Sequence, residues 1–324
     1  MTAEPVTAGH VPPSSPSHVL RPATAADLPT CAAIWRESIN DYMVRLNQPP
    51  IPVEADSIIR LHDHFRSTDP ERFVLATRKA EHGGGERVVG FTSSIRRGDL
   101  WFLSMLFVRA QDQGAGVGRA LLAQVLPTDD AILATATDAV QPISNALYAS
   151  LGMIPRMPLF GAIGRPVRDG GFEPLPRGIV AQPLRAGAYD RDTGVAAVLD
   201  AIDREILGFV RPQDHRFLGV EGRHGFLYRG PDGTAVGYGF ASEAGRVGPV
   251  AARDEALLGP ILGHVLTAIE PRGASALWLP GAAGGALAQV LRAGLRLEGF
   301  PVLLCWTRPF ADFSRYLPVS PALP

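Results

Sequence analysis

A short glycine-rich segment contains the residue types that most directly suggest chemistry. It reads Gln-Gly-Ala-Gly-Val-Gly over residues 113–118, after an apolar run that ends at Val108 and before an apolar-periodic segment that begins at Arg119. Because glycine has no Cβ, several backbone N–H groups can face one space. The N-terminus of the helix expected next adds about half a positive charge. The segment therefore predicts an anion site that would suit a pyrophosphate group.

Two other glycine-rich phosphate motifs fit this segment poorly. A dinucleotide fingerprint needs Gly-x-Gly-x-x-Gly in a leading β-α-β unit, but Arg119 stands at the third glycine position and the preceding residues read as a hairpin and a long strand. A P-loop needs Gly-Lys-Ser/Thr, and the only lysine is Lys79. The pyrophosphate of coenzyme A is the remaining interpretation.

The elements that must position this segment follow from apolar periodicity and turn residues. Residues 20–163 read in the order β-α-α-β-β-β-α-β-α-β, ending in an apolar segment over 159–163. The inner predicted strands cover 73–78, 88–95, 100–108 and 131–136, and the helices run from after Thr24 to about residue 43 and over 55–65, 119–126 and 144–151.

The second half repeats this pattern, which indicates two copies of one α/β unit. Its predicted strands cover 225–228, 237–242, 246–252 and 275–279, and its helices cover 255–269 and 286–293. We therefore expect a disordered leader over 1–19, a first unit over 20–163, a linker over 164–178, a second unit over 179–308 and a tail over 309–324, with Phe310, Phe313 and Tyr316 as possible docking anchors.

Two motifs in this element order resemble the GNAT acetyltransferases. The first is Gln-x-x-Gly-x-Gly between the fourth strand and the third helix, and the second is Asn-Ala-Leu-Tyr-Ala-Ser-Leu-Gly-Met over 145–153, where Met153 replaces the usual Phe. The tandem layout with one degenerate copy resembles a group of bacterial double-GNAT proteins. The resemblance implies a mixed α/β fold with two tandem domains, each a mostly antiparallel sheet flanked by helices.

The same resemblance implies a site for acetyl-CoA as co-substrate. The molecule would lie in a V-shaped gap between the strand ending at Val108 and the strand 131–136, and the backbone N–H of Phe107 would donate to the thioester carbonyl. Tyr148 would protonate the leaving thiolate. The implied binding residues are Leu106, Phe107, Val108, Gln113, Gly114, Ala115, Gly116, Val117, Gly118, Arg119, Ala120, Asn145 and Tyr148.

The general base stays open, because Ser104 and Met105 stand where many members of the family have an acidic side chain. Ser104 would take part in catalysis through a chain of water molecules that ends at its hydroxyl. The other candidates are Asp99 at the strand start and Glu37 or Asp41 on the first helix.

Histidine and cysteine residues predict no metal site. His62 and His64 are two apart on a predicted helix, so they would point in different directions, and we expect both at the surface. Cys31 and Cys305 lie in apolar contexts and are expected to be buried thiols in a reducing compartment.

The second copy departs from the motifs. An alignment of Val250 with Val108 places Ala256, Leu258 and Pro260 on the three glycines, and Val290 on Tyr148. This copy should therefore not bind coenzyme A, because Pro removes an N–H donor. It could instead complete the acceptor cleft or act as a built-in dimer partner. Its helix residues Asp200, Asp203 and Glu205 could bind a cationic amine or form a solvated face.

Composition narrows the function classes. The chain has 324 residues, a net charge of -1 and a mean hydropathy of +0.09, which is globular and gives no basic excess for nucleic acid. The sequence lacks an apolar run of the ~18 residues that a membrane span needs, and residues 1–19 carry no signal-peptide pattern. We expect a cytoplasmic monomer or homodimer that acetylates a small-molecule or peptide amine. The alternative is a non-catalytic acyl-CoA-binding pseudoenzyme or scaffold.

Overall fold

The computed structural model of the chain describes residues 18–51, 53, 56–79, 85–167 and 170–324. Residues 1–17 of the leader predicted over 1–19 lie outside these residues, and Val19 is already the first residue of a strand. The fold is mixed α/β, with an eight-stranded sheet and a five-stranded sheet flanked by helices. The predicted fold class is confirmed.

The first half contains the predicted elements in the predicted order. They are β1 Val19–Pro22, α1 Leu28–Arg45, α2 Asp56–Thr68, β2 Phe73–Lys79, β3 Glu86–Arg97, β4 Leu100–Val108, α3 Val117–Val125, β5 Ile132–Asp138, α4 Pro142–Ala149 and β6 Ile154–Gly164.

The second half repeats this order and adds a last short strand, β13; its strands β7, β12 and β13 were not predicted from the sequence. Its elements are β7 Val180–Leu184, α5 Ala188–Arg191, α6 Thr193–Leu207, α7 Pro212–Val220, β8 His224–Arg229, β9 Ala235–Ala241, β10 Val247–Ala252, α8 Glu255–Ala268, β11 Ser275–Pro280, α9 Gly284–Arg292, β12 Arg296–Trp306 and β13 Tyr316–Leu317.

The two halves exchange strands. The large sheet has the order β1-β2-β3-β4-β5-β12-β6-β11, so β12 of the second half lies between β5 and β6 of the first. Leu304 of β12 pairs with Ala136 on one side and with Met157 on the other, while β6 pairs with β11. Neither half therefore forms a complete sheet alone, and whether the predicted boundaries define separate domains stays a prediction.

The segments predicted as linker and tail pack against the body of the protein. In the segment over 164–178, the Glu173 N–H donates to Gln289 Oε1 at 3.0 Å. Phe310, Phe313 and Tyr316 are all buried in the core shared by the two halves. Their prediction as docking anchors is confirmed.

A buried ion cluster also joins the halves. The guanidinium of Arg97, at the end of β3, donates to Asp214 of α7 at 2.7 Å and to Asp69 at 2.9 Å. His64 Nε2 lies 2.8 Å from Asp214 Oδ1. These side chains are 8% exposed or less, so the cluster fixes α2 and the β3–β4 turn against the second half.

The surface prediction for the two histidines is wrong. His62 is fully buried and lies edge-on to Phe91, with ring centroids 5.2 Å apart, and burial lowers its pKa to about 3. His64 faces the second half instead, so the two rings do point apart. His62 lies on the face of α2 that packs on the sheet, whereas His64 lies on a second face that α7 covers.

The two cysteines have the burial that the sequence predicted. Cys31 and Cys305 are free and buried, as predicted. In the described ranges, no three or more His, Cys, Asp or Glu side chains are grouped to hold a metal ion. No helix there is long and apolar enough to cross a membrane.

Because β12 belongs to both halves, we expect Leu304→Ala to destabilise the whole molecule. Leu304 is 2% exposed, and truncation of such a core leucine costs about 2 to 5 kcal/mol. Urea unfolding followed by circular dichroism and tryptophan fluorescence should shift as one transition. Leu297→Ala, at an exposed position of the same strand, is the control and should change little. Two separate transitions, with only one moved by Leu304→Ala, would contradict this account.

Candidate active site

The strands β4 and β5 run parallel and then separate. Their pairing extends from Leu100 opposite Ile132 to Leu103 opposite Thr135 and stops there. At that point β4 has a β-bulge, because Ser93 and Ser94 of β3 pair with Met105 and Leu103 and leave Ser104 without an opposite residue. The result is a gap between residues 105–108 and 136–138, which we call the β4–β5 gap. The V-shaped gap that the resemblance implied is confirmed.

Backbone alternation decides which amides face this gap. The Arg109 N–H donates to Val89 O of β3 at 2.9 Å, whereas Val108 O accepts from Gln113 Nε2 at 2.9 Å and from Ser38 Oγ at 3.3 Å. Successive residues of a strand direct their N–H and C=O groups to opposite edges. Leu106 and Val108 therefore face the gap. The N–H of Phe107, implied as the oxyanion donor, lies on the β3 edge, and this assignment is corrected.

The glycine segment forms an open loop at the mouth of the gap. Gly114 and Gly116 have φ values of +80° and +76°, a left-handed conformation that favours glycine. Gly116 is the N-cap of α3, and a Cβ at either glycine would meet nothing within 4 Å. The loop thus exposes backbone at a helix N-terminus, which is the geometry of an anion site.

A buried carboxylate anchors this loop. Asp112 is 2% exposed and accepts from Arg78 Nη1 at 2.8 Å and from Arg87 Nη1 at 2.9 Å. The two arginines belong to β2 and β3, so Asp112 fixes the start of the loop to the sheet. Sequence reasoning missed this role, because nothing in the local pattern pairs Asp112 with these strands.

Tyr148 of α4 lies on the same side of the sheet as the loop. It is 5% exposed and packs in one apolar cluster with Val117, Leu106 and Val108. Its hydroxyl has no hydrogen-bond partner within the described part of the chain. Burial, with a smaller contribution from nearby Cys305, raises the pKa of Tyr148, so the hydroxyl carries its proton at neutral pH.

Two polar atoms near the gap lack partners among the described residues. The Asn145 amide donates from Nδ2 to Asp138 O at 3.1 Å and to Gln141 O at 2.7 Å, but its buried Oδ1 accepts nothing. The buried Ser104 Oγ at the bulge is likewise unpaired. Buried polar atoms without partners are rare, and both would gain from a polar ligand in the gap.

The acidic candidates for a general base lie at the closed end of the gap or are engaged in ion pairs. Asp99 lies at the closed end, where its carbonyl accepts from the Ile132 N–H, and it borders a separate cavity of about 420 Å³. Glu37 forms an ion pair with Arg109, and Asp41 with Arg45. The structure instead brings Asp138, the last residue of β5, to the gap, with its carboxylate accepting from the Tyr42 hydroxyl. Sequence reasoning ended this strand at residue 136 and so missed Asp138.

The corresponding loop of the second half is absent. Eight residues, 109–116, separate β4 from α3, but only Arg253 and Asp254 separate β10 from α8. The ungapped alignment of Gly118 with Pro260 is therefore wrong, because Pro260 lies inside α8. The Asp254 carboxylate accepts from the Ala256 N–H at 2.9 Å, so this helix N-terminus is capped by its own chain.

The tail fills the corresponding gap of the second half. The strand β13 pairs with the edge of β10 that does not pair with β9. Leu317 lies opposite Val250, and Tyr316 lies opposite Ala251. That edge is equivalent to the edge of β4 that faces the β4–β5 gap. Val290, at the position of Tyr148, is a buried core residue.

The acidic residues of the early helix in this half also have partners. Asp203 is buried against Arg211 and His215, at 3.0 and 2.8 Å. Asp200 accepts from the Tyr189 hydroxyl, and Glu205 forms ion pairs with arginines. The structure therefore gives no support to a cation site on this helix.

Comparisons with solved structures identify the fold. The chain is similar to a candidate acetyltransferase from Pyrococcus horikoshii, at 15% identity and a TM-score of 0.70, with 98% of this chain and 99% of that chain covered. It is also similar to a GCN5-related N-acetyltransferase from Sphaerobacter thermophilus, at 19% identity, 92% and 98% coverage and a TM-score of 0.57.

A tandem GNAT protein from the clavulanic acid biosynthesis pathway matches along the whole chain as well. The identity is 15%, the coverage is 90% of this chain and 99% of that chain, and the TM-score is 0.53. No family model and no curated protein matches the sequence. The chain thus has a tandem GNAT acetyltransferase fold, which confirms the resemblance at the level of the fold.

Because Asp112 anchors the glycine loop, we expect Asp112→Asn to destabilise the protein by about 2 kcal/mol, the usual scale for charge-assisted hydrogen bonds lost from a buried carboxylate. Asp129→Asn removes an exposed carboxylate paired with Arg96 and should cost under about 1 kcal/mol. Chemical unfolding of both variants measures the difference. Equal effects would show that Asp112 does not anchor the loop.

Proposed function

We propose that the first half is an acyl-CoA-dependent N-acyltransferase, with acetyl-CoA as donor and a small-molecule or peptide amine as acceptor. The observation that carries the proposal is the β4–β5 gap, which has an open glycine loop at its mouth and a protonated tyrosine at its side. An anion-binding loop and a proton donor beside one unpaired strand edge suit a long ligand with a pyrophosphate and a thioester.

The binding roles follow from the groups that the gap leaves free. The N-terminus of α3, from Gly116 to Arg119, would hold the pyrophosphate through backbone N–H groups, whereas the Ala120 N–H already donates to Gly116 O at 3.0 Å. The gap-facing backbone of Leu106 and the N–H of Val108 would pair with the pantetheine arm as with an added strand. Asn145 Oδ1 and Ser104 Oγ, both unpaired, are available to its amide groups.

The chemical roles are divided between the amides and the tyrosine. The acceptor nitrogen forms a bond to the thioester carbonyl carbon, and the N–H of Leu106 or Val108 donates to the carbonyl oxygen as negative charge develops there. The C–S bond breaks, and Tyr148 donates its proton to the departing thiolate. The acceptor nitrogen loses a proton to water as the amide forms, and the tyrosine regains a proton from water.

The second half has none of these features and would serve as a support. Its helix N-terminus is capped by Asp254 and its gap is filled by β13. It would act on the first half through β12, which pairs with β5 along one edge of the gap.

We expect acetyl-CoA to raise the Tm of the wild-type chain, because a ligand at about 100 times its Kd adds roughly 2.7 kcal/mol of stability. Gly118→Asp should lose this shift, since its carboxylate would lie beside the pyrophosphate. The variant should still fold, because an acidic residue in the first turn stabilises a helix. Gly118→Ala is the matched control: its Cβ would clear Val108 at 3.8 Å, and the shift should be kept. No shift in wild type would remove the basis for the proposed function.

We expect Tyr148→Phe to lower kcat for acetyl transfer by about 100-fold, the lower end of general-acid effects, without changing acetyl-CoA binding. Since burial raises the pKa of Tyr148, its ionisation should cause no fall in the wild-type rate from pH 6 to about pH 10. Tyr228→Phe, a buried tyrosine of the second half, should leave kcat unchanged. If wild type and Tyr148→Phe both bind acetyl-CoA but are equally inert toward amines, the non-catalytic binding protein is the better account.

A further inference from the structure

The fully buried aspartates of the described residues are matched by arginines, whereas a partly buried aspartate beside the gap is not. The buried aspartates Asp69, Asp112, Asp203 and Asp214 each contact at least one arginine. Asp138 is partly buried, yet no basic side chain lies within 4 Å of its carboxylate in the described ranges, and its partner is the neutral Tyr42 hydroxyl. A carboxylate left without a cation in such a place costs free energy, which a cationic ligand would recover.

The helix α1 places this carboxylate at the open end of the gap. Ser38 Oγ donates to Val108 O on β4, and one turn later Tyr42 donates to Asp138 on β5. The helix therefore bridges the open ends of β4 and β5, beyond the last residues that pair between these two strands. A group bound at Asp138 would lie over the end of the gap.

The carboxylate lies on the opposite face of the sheet from Tyr148. Side chains alternate along β5: Ala134 and Ala136 pack in the core beneath α1, whereas Leu133 packs in the cluster that contains Tyr148. Asp138 continues the first series. An acceptor held by Asp138 would thus approach from one face, while the proton for the leaving group comes from the other.

The surroundings of Asp138 are apolar and aromatic. The Tyr42 ring lies 6.3 Å from the Phe300 ring, and Val302 pairs opposite Asp138. A charge pair is strengthened in such a setting because the local dielectric is lower than in water, and aromatic faces attract ammonium groups.

We propose that Asp138 and Tyr42 bind the ammonium group of the acceptor, a primary amine carried on an apolar or aromatic body, and that Asp138 removes its proton. This rests on the proposed acyl transfer. The carboxylate takes one proton from the ammonium, and the freed nitrogen pair forms the bond to the thioester carbon. The C–S bond breaks, and the thiolate takes the proton of Tyr148. As the amide forms, its nitrogen releases a second proton to water, Tyr148 regains a proton from water, and Asp138 releases its proton to water.

The binding test uses the full chain, alone and saturated with coenzyme A, with 2-phenylethylamine and its neutral analogue 2-phenylethanol as probes. Wild type should bind the amine at least 10-fold more tightly than the alcohol by calorimetry. Asp138→Asn should lose this preference, keep its affinity for the alcohol and keep the Tm shift with coenzyme A. Asp41→Asn removes an exposed, neighbouring acid of α1 and should behave as wild type.

A kinetic test separates proton removal from a structural role. Asp138→Asn should lower kcat/KM for the amine by about 100-fold at pH 7.5, and part of this loss should be recovered at pH 9.5, where more of the amine is already neutral. A structural defect would give no such recovery.

The outcomes distinguish the two proposals. If wild type shows no preference for the amine over the alcohol, or if Asp138→Asn keeps the preference, the Asp138 site is refuted. If wild type prefers the amine in the absence of coenzyme A but shows neither a shift with acetyl-CoA nor acetyl transfer, the acyltransferase proposal fails while the amine site stands.

Discussion

The insertion of β12 between β5 and β6 is the constraint on which the rest of the structure depends. A strand that separates from its neighbour exposes unpaired backbone groups along that edge. Where β5 separates from β4, it therefore depends on hydrogen bonds along its other edge. The pairing with β12 continues to Asp138, three residues beyond the last pair with β4. The gap in the first half is therefore maintained by a strand that the second half supplies.

The same fold thus occurs twice in the chain, with opposite consequences. In the first half the strand edge at Val108 and the helix N-terminus at Gly116 are open. In the second half β13 pairs with the equivalent edge and the Asp254 carboxylate caps the equivalent helix. Both groups that a cofactor would satisfy are satisfied there by the chain itself.

The aspartates of this protein differ in whether an arginine neutralises their carboxylate. Arg97 and Arg211 neutralise the carboxylates buried between and within the halves, and those contacts fix helices and turns. Asp138 differs because its partner is a phenol that carries no charge. Its position on the α1 face, with Tyr148 on the α4 face, gives the gap two chemically different sides.

The sequence by itself determined the elements of the first half, the glycine-rich loop before α3 and the resemblance to the GNAT fold, because these follow from local backbone preferences, apolar periodicity and short motifs. It also identified Tyr148 as a candidate and showed the loss of the motifs in the second copy. Only the tertiary structure placed β12 beside β5, buried His62 and His64, turned the N–H of Phe107 away from the gap and brought Tyr42 to Asp138. The physical reason is that periodicity records which side of a strand or helix is buried, whereas the partner that covers it is set by contacts between residues far apart in the chain.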